Sequence, residues 1–401
     1  MSILDELSDV SVWERFYEYK SGLVCPDRLK RELRRFIDSR GYIPVCESIA
    51  LGCDFPLPQK SIISKQSTQK KRVVYTYPDA HNRVLKLLTY IMLRRNDGLF
   101  ADNLFSFRPG RTAKDAIMSL LRVRGVGEMY SYKADISNYF NSIDIERLLP
   151  LLKNAMGDDE ELYAFLKRLL EEPYVLENGE RIKERKGIMA GTPLASFYAN
   201  LFLTELDRHF EKLGVPYCRY SDDIILFAKT REGAQGHAET VRSFLKENGL
   251  ELNPDKERFS SPDEGFVFLG FSYRHGVIDI APASLDKLKH KMRRKMRALA
   301  RWRDRNGIEG ERAAKAFIRI FNRKLFESVS DNELTWTYWF FPVINTTKSL
   351  NAIDRYAQDC VRRLVSGKST KARFNVRYDY MRSLGLKSLV HEYYKNKTDD
   401  E

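Results

Sequence analysis

Two adjacent carboxylates within residues 219–228 constrain the fold of this chain more than any other feature. Asp222 and Asp223 stand between a short apolar lead-in and a β-branched, aromatic run. This pattern predicts a strand, a tight turn and a second strand, with both acids at the turn. Neighbouring acids repel each other and destabilise a fold unless a cation neutralises them. The sequence therefore predicts a hairpin that carries a cation site.

A single acid occupies a similar place upstream. Asp135 ends an apolar strand within residues 130–140. Three carboxylates at strand ends, from segments far apart in sequence, fit a site for two Mg²⁺ ions about 3.5–4 Å apart, which would stabilise the attacking and leaving oxygens in phosphoryl transfer. An Asp at a turn is also an ordinary turn former. That interpretation is fair for Asp222 alone and poor for all three acids together.

The charge of the chain indicates a polyanionic partner. Its 401 residues include 68 Lys and Arg against 55 Asp and Glu, a net charge of +13. The excess is clustered in residues 287–305 and 355–382, as expected for nucleic-acid binding. An ordinary solvated helix face is the alternative for each cluster. A chain of this length can bury a large core and divide into two or three subdomains.

Cysteine usage and hydropathy indicate the compartment. The five cysteines form no CxxC pair and no disulfide-like framework, which argues against zinc and fits a reducing cytosol. The N-terminus lacks the apolar core of a signal peptide, and no apolar run is long enough to span a bilayer. We therefore expect a cytoplasmic protein with no membrane partner.

Local patterns predict a mixed succession of helices and strands. Residues 1–60 read as two helices followed by a loop, and Asn178-Gly179 predicts a two-residue hairpin turn. One amphipathic helix is expected over residues 193–211, and strands over 266–271 and 277–280. From Ser284 onward the chain is basic, aromatic and helical in pattern, and this shift in composition predicts a domain boundary.

Five sequence islands in this order resemble the fingers and palm of reverse transcriptases, of the bacterial group-II-intron-like branch. They are residues 107–117, 134–144, 220–223, 248–256 and 268–271. The resemblance covers about residues 60–280. It implies an α+β right-hand polymerase, with fingers and palm built on antiparallel sheet and followed by an α-helical thumb. The implied domains are an N-terminal helical extension (1–60), fingers and palm (61–283), and a basic helical thumb and RNA-binding region (284–401).

The resemblance also implies the activity and the catalytic residues. Asp135, Asp222 and Asp223 would hold two Mg²⁺ ions with help from the Ile136 carbonyl, and Asp223 is also consistent with a purely electrostatic role. Mg²⁺ prefers oxygen ligands and keeps water and triphosphate oxygens in its remaining positions. One ion would activate a primer 3′-hydroxyl, both would stabilise the transition state, and pyrophosphate would leave. The implied enzyme is an RNA-directed DNA polymerase that uses dNTP substrates.

Nucleotide contacts follow from the same resemblance. Lys65, Lys71 and Arg72 resemble the fingers cations that hold the incoming triphosphate, since the planar fork of Arg suits phosphate; a solvated basic loop is the alternative. Phe140 resembles a steric gate against the ribose 2′-hydroxyl, although a core aromatic fits the sequence nearly as well. Lys256 resembles a lysine that protonates pyrophosphate, whereas a surface lysine is the simpler interpretation. Further candidates for nucleotide or template contact are Arg83, Arg108 and Arg111.

One position departs from the family pattern. Gly191 remains in the motif beneath the nucleotide, where glycine permits close approach of the backbone to a ligand. Ala190 replaces the usual Gln, and its methyl group cannot hydrogen-bond a sugar. We expect altered sugar positioning, fidelity or rate in a specialised polymerase rather than an inactive one, because all three acids are present.

The C-terminal region is expected to contact nucleic acid. A set of cations fits one helix face along a duplex backbone, in sequence-independent and salt-sensitive contacts: Lys291, Arg293, Arg294, Arg297 and Arg301. The aromatic run 336–341 favours an apolar core over base stacking. Tyr393 and Tyr394 are less favoured candidates for protein primers.

Sequence signatures that this chain lacks narrow the choice among groups of reverse transcriptases that it resembles. We find no RNase H domain, no Cys/His nuclease domain, and no retron or diversity-generating signatures. Residues 378–390 are similar to the C-termini of compact stand-alone bacterial enzymes of unknown or defence-associated groups. This implies antiphage defence by cDNA synthesis on a dedicated noncoding RNA, with the RNA/DNA duplex as partner. The alternatives left open are a retron-type or diversity-generating enzyme, a catalytically weak RNA-binding scaffold with a polymerase fold, and an RNA-synthesising polymerase, which Phe140 opposes. A homo-oligomer or an accessory defence protein is a further partner that the sequence leaves open.

Overall fold

The chain forms two compact units. The computed structural model describes residues 2–23, 26–64, 71–184, 186–327 and 336–399. The first unit comprises Met1–Leu23 with Asp27–Pro262, and the second comprises Val24–Pro26 with Asp263–Glu401. This division precedes the boundary expected at residue 284, because the strands within residues 266–280 form a sheet of their own and pack Phe271 against Phe340, with ring centroids 5.1 Å apart.

The first unit contains most of the helices and both four-stranded sheets. Its helices are α1 (Val10–Gly22), α2 (Asp27–Asp38), α3 (Ile43–Ala50), α4 (Asp79–Arg95), α5 (Ala113–Leu121), α6 (Tyr139–Ser142), α7 (Ile145–Met156), α8 (Glu160–Glu171), α9 (Ala195–Phe202), α10 (Thr204–Lys212) and α11 (Arg231–Glu247). Its strands are β1 (Gln59–Ser64), β2 (Lys71–Thr76), β3 (Tyr130–Asp135), β4 (Tyr174–Glu177), β5 (Glu180–Lys183), β6 (Tyr217–Tyr220), β7 (Asp223–Ala228) and β8 (Arg258–Ser260).

One sheet, with strand order β6-β7-β3-β8, is antiparallel throughout. Helix α11 packs on β3 and β7, and its Arg242 lies over the ring of Tyr132 in β3. Successive side chains of a strand point to opposite faces. Lys133 and Asp135 therefore share the face of β3 that α11 does not cover.

The other sheet of this unit has the order β2-β1-β4-β5. Strands β4 and β5 form the predicted hairpin, in which Asn178 and Gly179 take φ angles of 53° and 89°. A two-residue turn with positive φ at both positions matches the twist of the flanking strands. The hairpin prediction is confirmed.

Helices α1, α2 and α3 share the core of the first unit. Trp13 and Phe16 of α1 are buried in one apolar cluster with Leu85 and Leu88 of α4. Helix α3, which the sequence did not predict, buries its apolar side chains in the same cluster. The expected N-terminal extension is therefore helical, and its helices are part of this core.

Two other elements differ from the sequence-based expectation. The helix expected over residues 193–211 is broken at Leu203, which ends α9 and precedes α10 with non-helical angles (φ −106°, ψ 10°). The strand expected over residues 266–271 is interrupted at Leu269 and Gly270, whose φ angles are 48° and 89°. Periodicity alone does not register such single-residue breaks.

The second unit is mainly helical. It contains β9 (Phe266–Phe268), β10 (Phe271–Arg274), β11 (Val277–Ile280), α12 (Pro282–Asn306), α13 (Gly310–Phe326), α14 (Trp336–Phe340), α15 (Lys348–Ser366), α16 (Tyr378–Ser383) and α17 (Leu389–Asp399). Helix α12 buries Leu288, Met292, Met296 and Leu299, and its exposed residues are largely basic. Within the described ranges, none of the helices is long and apolar enough to cross a membrane.

Candidate active site

The structure brings the three predicted acids together at one end of the antiparallel sheet. Asp135 ends β3 directly opposite Asp223, the first residue of β7. Asp222 lies in the turn between β6 and β7, and its carbonyl accepts a 3.1 Å hydrogen bond from the amide of Ile136. Ile136, whose carbonyl is a predicted metal ligand, therefore also lies at this end of the sheet.

The turn that carries Asp222 is conformationally strained. Ser221, which precedes it, has a φ angle of 61°, in the left-handed region that non-glycine residues rarely adopt. The amide of Ser221 donates a 2.8 Å hydrogen bond to Ser106 Oγ. Surrounding structure must compensate for such strain, which is typical of functional sites.

The carboxylates of the turn are electrostatically destabilised. Burial raises the pKa of Asp222, and the charge of Asp135 raises it further. Burial also raises the pKa of Asp223, although Lys133 opposes this shift. Since a raised carboxyl pKa means that ionisation is costly, the site favours a bound cation.

Two ammonium groups already lie beside these acids. Lys256 Nζ is 2.5 Å from Asp135 Oδ2, and Lys133 Nζ is 3.5 Å from Asp223 Oδ1. The pKa of Lys256 is raised: burial, the largest influence, lowers it, but the hydrogen bond and charge of Asp135 outweigh that effect. The site thus balances its negative charge with protein cations.

The donor set fits divalent metal ions, with one rearrangement. Carboxylates are the oxygen ligands that Mg²⁺ prefers. Among the described residues, however, no group of three or more His, Cys, Asp or Glu side chains is already arranged around a common point. The ammonium of Lys256 contacts Oδ2 of Asp135, so a metal ion bound through that oxygen would displace it.

Phe140, the predicted steric gate, lies close to this end of the sheet. It is half-buried in the short helix α6, five residues after Asp135, and its ring packs edge-on against Phe107 with centroids 6.3 Å apart. The carbonyl of Phe140 accepts a 2.9 Å hydrogen bond from Ile188. A Cβ on Gly187 would lie 2.5 Å from that carbonyl, so the packing requires glycine there.

The Ala190-Gly191 segment lies against strand β2. The Ala190 carbonyl accepts a 2.8 Å hydrogen bond from the Tyr75 amide, and Ala190 itself is buried. Gly191 has a φ angle of 100°, and a Cβ there would lie 3.1 Å from the Tyr75 carbonyl. Gly191 is thus needed for packing against β2.

The predicted fingers cations are only partly described. Lys65 lies outside the described residues, and so does the side chain of Lys71, the first residue of β2. Arg72 is exposed on β2, where it pairs with Ile63 of β1. Its phosphate contact stays a prediction.

The other arginine candidates are engaged in ion pairs. Arg108 is buried and forms two hydrogen bonds with the Asp97 carboxylate, at 2.8 and 2.9 Å. Arg83 pairs with Asp79. Arg111 pairs with Asp102. The Arg108 side chain thus stabilises the fold through Asp97, and its contact with nucleotide or template stays a prediction.

Two features escaped the sequence analysis. A buried polar network beneath the Ser221 turn joins side chains from four segments, and only their proximity in space reveals it: Ser106, Asn200, Asp207 and Arg219. A cavity of about 300 Å³ next to Phe107 combines cations with aromatic rings, among them Tyr19, Lys20, Tyr90 and Arg94. Basic and aromatic residues at helical spacing in α1 and α4 were the available signal for the second feature.

Comparison with known proteins identifies the family. An α+β fold that gathers three aspartates at one end of the central strands of an antiparallel sheet is the architecture of a polymerase palm. The chain matches the family described as reverse transcriptase (RNA-dependent DNA polymerase) over residues 63–273, just over half of its length. It belongs to this family, and the predicted α+β fold class, with antiparallel sheet and a helical C-terminal region, is confirmed.

Relatives among characterised proteins are distant. The chain is 23% identical to Protein YkfC of Escherichia coli over 257 residues, covering 54% of this chain and 66% of YkfC. It is 26% identical to the group II intron-encoded protein LtrA of Lactococcus lactis over 182 residues, covering 45% of this chain and 30% of LtrA. The chain therefore spans less than two thirds of either relative. The similarity to an intron-encoded protein agrees with the branch that the sequence resembles.

Among solved structures, two yeast telomerases are similar in part. The apo telomerase of Candida tropicalis matches with a TM-score of 0.45 at 11% identity, covering 56% of this chain and 55% of that one. The Candida albicans telomerase in complex with a telomeric RNA fragment matches with a TM-score of 0.44 at 12% identity, covering 82% of this chain and 64% of that one.

Proposed function

We propose that this protein is an RNA-directed DNA polymerase that synthesises cDNA by metal-dependent nucleotidyl transfer. The register of Asp135 opposite Asp223, with Asp222 in the adjoining turn, carries the proposal. No fold needs three mutually repelling carboxylates at one end of a sheet. Their proximity becomes favourable once divalent cations bind. Membership of the reverse transcriptase family supports the same reaction.

The three acids would act as metal ligands. Asp135, Asp222 and Asp223, with the Ile136 carbonyl, would hold two Mg²⁺ ions. Bound in this way, the ions supply charge stabilisation for the primer oxygen and the departing pyrophosphate. The carboxylates fix the geometry of the site, and Lys133 remains beside Asp223 as a counter-charge. Lys256, once released from Asp135, would donate a proton to pyrophosphate.

The surrounding residues would select and hold the dNTP. Lys65, Lys71 and Arg72 would contact the triphosphate. Phe140, which lies five residues from Asp135 and packs against Phe107, would exclude a ribose 2′-hydroxyl. Gly191 would let the backbone approach the nucleotide, and Ala190 would leave the sugar without the usual amide contact.

The second unit would bind the template-primer duplex as a thumb. Helix α12 exposes Arg293, Arg294, Arg297 and Arg301 opposite its buried apolar face. Such a face neutralises phosphates regardless of sequence. The aromatic segment supports the unit structurally, since Phe340 and Phe341 are buried. Tyr393 is also buried and donates its hydroxyl to the Ile344 carbonyl, which argues against a primer role for it.

We further propose that the template is a dedicated noncoding RNA and that the cDNA acts in antiphage defence in the cytoplasm. The support is the resemblance of residues 378–390 to defence-associated enzymes. Purification from a native host, followed by sequencing of the bound nucleic acid before and after adding dNTPs and Mg²⁺, tests this proposal. A single abundant RNA that becomes complementary DNA is the expected result, and mixed cellular RNA without DNA product contradicts it.

The polymerase activity itself is tested with purified protein on a primed RNA template. Wild-type protein should incorporate dNTPs only with a divalent metal, and Asp222→Ala should abolish incorporation. Asp158→Ala changes an exposed acid outside the site and should leave incorporation intact. Incorporation that survives Asp222→Ala would overturn the assignment of the site.

A second candidate function is an RNA-binding scaffold with little catalysis. The observation that favours it is the direct contact of Lys256 with Asp135, which offsets the charge of one of the three acids without metal. A scaffold predicts RNA binding that is unchanged by Asp222→Ala, and no incorporation by the wild-type protein under any metal condition.

A further inference from the structure

A fully buried ion pair lies directly beneath the turn that carries Asp222. Arg219 and Asp207 both have 0% exposure, and they are joined by hydrogen bonds from Nε to Oδ1 at 2.8 Å and from Nη2 to Oδ2 at 2.5 Å. The hydroxyl of Tyr217 donates a third bond to Asp207 Oδ1 at 2.8 Å. The pair is therefore shielded from solvent, bidentate and supported by a further donor.

This pair continues into the catalytic turn through direct hydrogen bonds. Arg219 Nη1 donates to the Ser221 carbonyl at 3.3 Å, and Arg219 Nη2 donates to the Asn200 carbonyl at 3.2 Å. Ser106 Oγ accepts from the Ser221 amide at 2.8 Å. Both polar groups of the Ser221 backbone are thus held by the network.

The network also ties in two segments that precede the hairpin. Asn200 Nδ2 donates to the Ser106 carbonyl at 2.8 Å, and the two side chains lie 3.3 Å apart. The backbone of Arg219 exchanges hydrogen bonds with Asn103 and Phe105, both at 3.1 Å. Helices α9 and α10, strand β6 and the 103–106 segment therefore converge beneath Ser221.

Stability alone is a poor explanation for this arrangement. Taking two charges out of water costs several kcal/mol per ion, and well-packed apolar residues of similar volume are often as stable or more so. The turn above the pair is strained at Ser221 and carries two adjacent carboxylates that repel each other. A rigid polar network is what can hold such a turn in one conformation, since each of its bonds is directional.

We propose that Ser106, Asn200, Asp207 and Arg219 are positioning residues that hold the Ser221-Asp222 turn in the conformation that binds divalent cations. This inference rests on the proposed function of the three aspartates. The network acts through its hydrogen bonds to the backbone of Ser221. Its loss should therefore weaken metal binding beyond any effect on stability.

The decisive variant replaces the pair by apolar residues. In Asp207→Leu/Arg219→Met the desolvation cost disappears along with the hydrogen bond from Arg219 to the Ser221 carbonyl, so the fold can keep its melting temperature while the turn loses part of its support. Ser106→Ala is a milder second variant that removes the acceptor of the Ser221 amide together with the 3.3 Å hydrogen bond from the Ser106 hydroxyl to Asn200 Oδ1. The single change Asp207→Asn is unsuitable alone, because it leaves a buried guanidinium without its counter-charge.

Two controls match these variants. Asp354→Asn removes the charge of a half-buried carboxylate in α15 of the second unit, where Asp354 accepts from the Ser388 hydroxyl and the Leu389 amide. Ser119→Ala removes a half-buried hydroxyl that bonds the Ala116 carbonyl in α5. Each should change the melting temperature without touching the Ser221 turn.

The first measurement is titration of the full-length protein with Mn²⁺ alone, monitored by electron paramagnetic resonance. The second is the Mg²⁺ concentration that half-saturates dNTP incorporation. We expect Ser106→Ala to weaken Mn²⁺ binding about fivefold, corresponding to one lost hydrogen bond, and the double variant to weaken it further. Asp354→Asn and Ser119→Ala should bind Mn²⁺ like the wild type, whatever the change in their melting temperatures.

The outcomes separate this inference from the proposed function. Mn²⁺ binding that falls in the network variants of a protein that incorporates no dNTP supports the positioning role and overturns the polymerase proposal. Unchanged Mn²⁺ binding and Mg²⁺ half-saturation in an active polymerase overturn the positioning role. Wild-type Mn²⁺ binding no stronger than that of Asp222→Ala overturns it as well.

Discussion

Lys256 Nζ contacts Asp135 Oδ2 at 2.5 Å, although Lys256 comes from the segment after α11 and Asp135 ends β3. The contact depends on the backbone: the Asn253 amide donates to the Asp135 carbonyl at 2.8 Å, which holds the 253–256 segment beside the strand. The lysine therefore serves as a counter-ion at the same carboxylate that a metal would bind. It has to leave Asp135 before it can reach any other anion.

The first prediction is that Lys256 competes with the metal. Lys256→Met should tighten Mn²⁺ binding to the nucleotide-free protein by up to about fivefold, since a half-exposed ion pair contributes ~0.2–1 kcal/mol. Lys256→Arg keeps a cation and should resemble the wild type. The measurement is Mn²⁺ titration without dNTP, and equal affinity in Lys256→Met and wild type would show that the contact does not compete.

The second prediction concerns pH. The pKa of Asp222 is raised above its ordinary value of 3.8, chiefly by burial, so the folded protein holds this proton more tightly than the unfolded chain does. The contribution of Asp222 to stability is therefore most favourable at low pH and is lost as the pH rises through the raised pKa. In EDTA, Asp222→Asn should be more stable than the wild type at pH 7, and this advantage should shrink near pH 4.

Urea unfolding of both proteins at the two pH values, with EDTA present, measures that difference. Adding Mg²⁺ at pH 7 should stabilise the wild type and leave Asp222→Asn nearly unchanged, because a ligand stabilises only the state that binds it. A wild type that is more stable than Asp222→Asn in EDTA at pH 7 would contradict the assigned electrostatic cost.

The third prediction concerns sugar selection. Phe140→Ala removes the ring that packs against Phe107 at the edge of the site. Discrimination against ribonucleotides should fall about tenfold or more, because a lost steric contact opens room for a 2′-hydroxyl. Phe259→Ala, on the outer strand β8, is a control with a comparable loss of ring volume. The ratio of kcat/KM for dNTP and rNTP measures the effect, and an unchanged ratio removes the gate role.

The sequence predicted the parts of the site that depend on local pattern. Asp135, Asp222 and Asp223 were placed correctly because strand alternation and turn chemistry are short-range signals. The ion pair of Arg108 with Asp97 was missed because the two residues lie 11 positions apart and only the fold brings them together. The Asp207–Arg219 pair was missed for the same reason, since both residues look like ordinary surface charges in sequence.

The fourth prediction concerns the glycine beside β2. Gly191→Ala places a Cβ 3.1 Å from the Tyr75 carbonyl at a φ angle of 100°, a conformation that costs an L-residue about 1–2 kcal/mol. We expect lower stability and a higher KM for dNTP with a smaller change in kcat. Gly236→Ala, in α11 with open space around its Cβ, should instead stabilise the protein. Equal effects of the two substitutions would contradict the packing role of Gly191.

The last prediction concerns the basic face of α12. Arg293, Arg297 and Arg301 are exposed and follow one another at intervals of four residues, so they form one stripe along the helix. If each contacts one phosphate, the triple change to Gln should lower the slope of log K against log salt for an RNA/DNA duplex by about 2–3. The affinity should fall most at low salt and become similar to that of the wild type at high salt, because the lost free energy comes from counter-ion release.

A charge-matched control separates this effect from net charge alone. Lys153, Lys229 and Lys246 are exposed on the first unit, and their triple change to Gln lowers the net charge by the same amount. Binding isotherms for both triple variants across a salt series give the slopes directly. A slope that changes equally in both variants would mean that the duplex responds to overall charge, and that α12 is a solvated face with no specific role in binding.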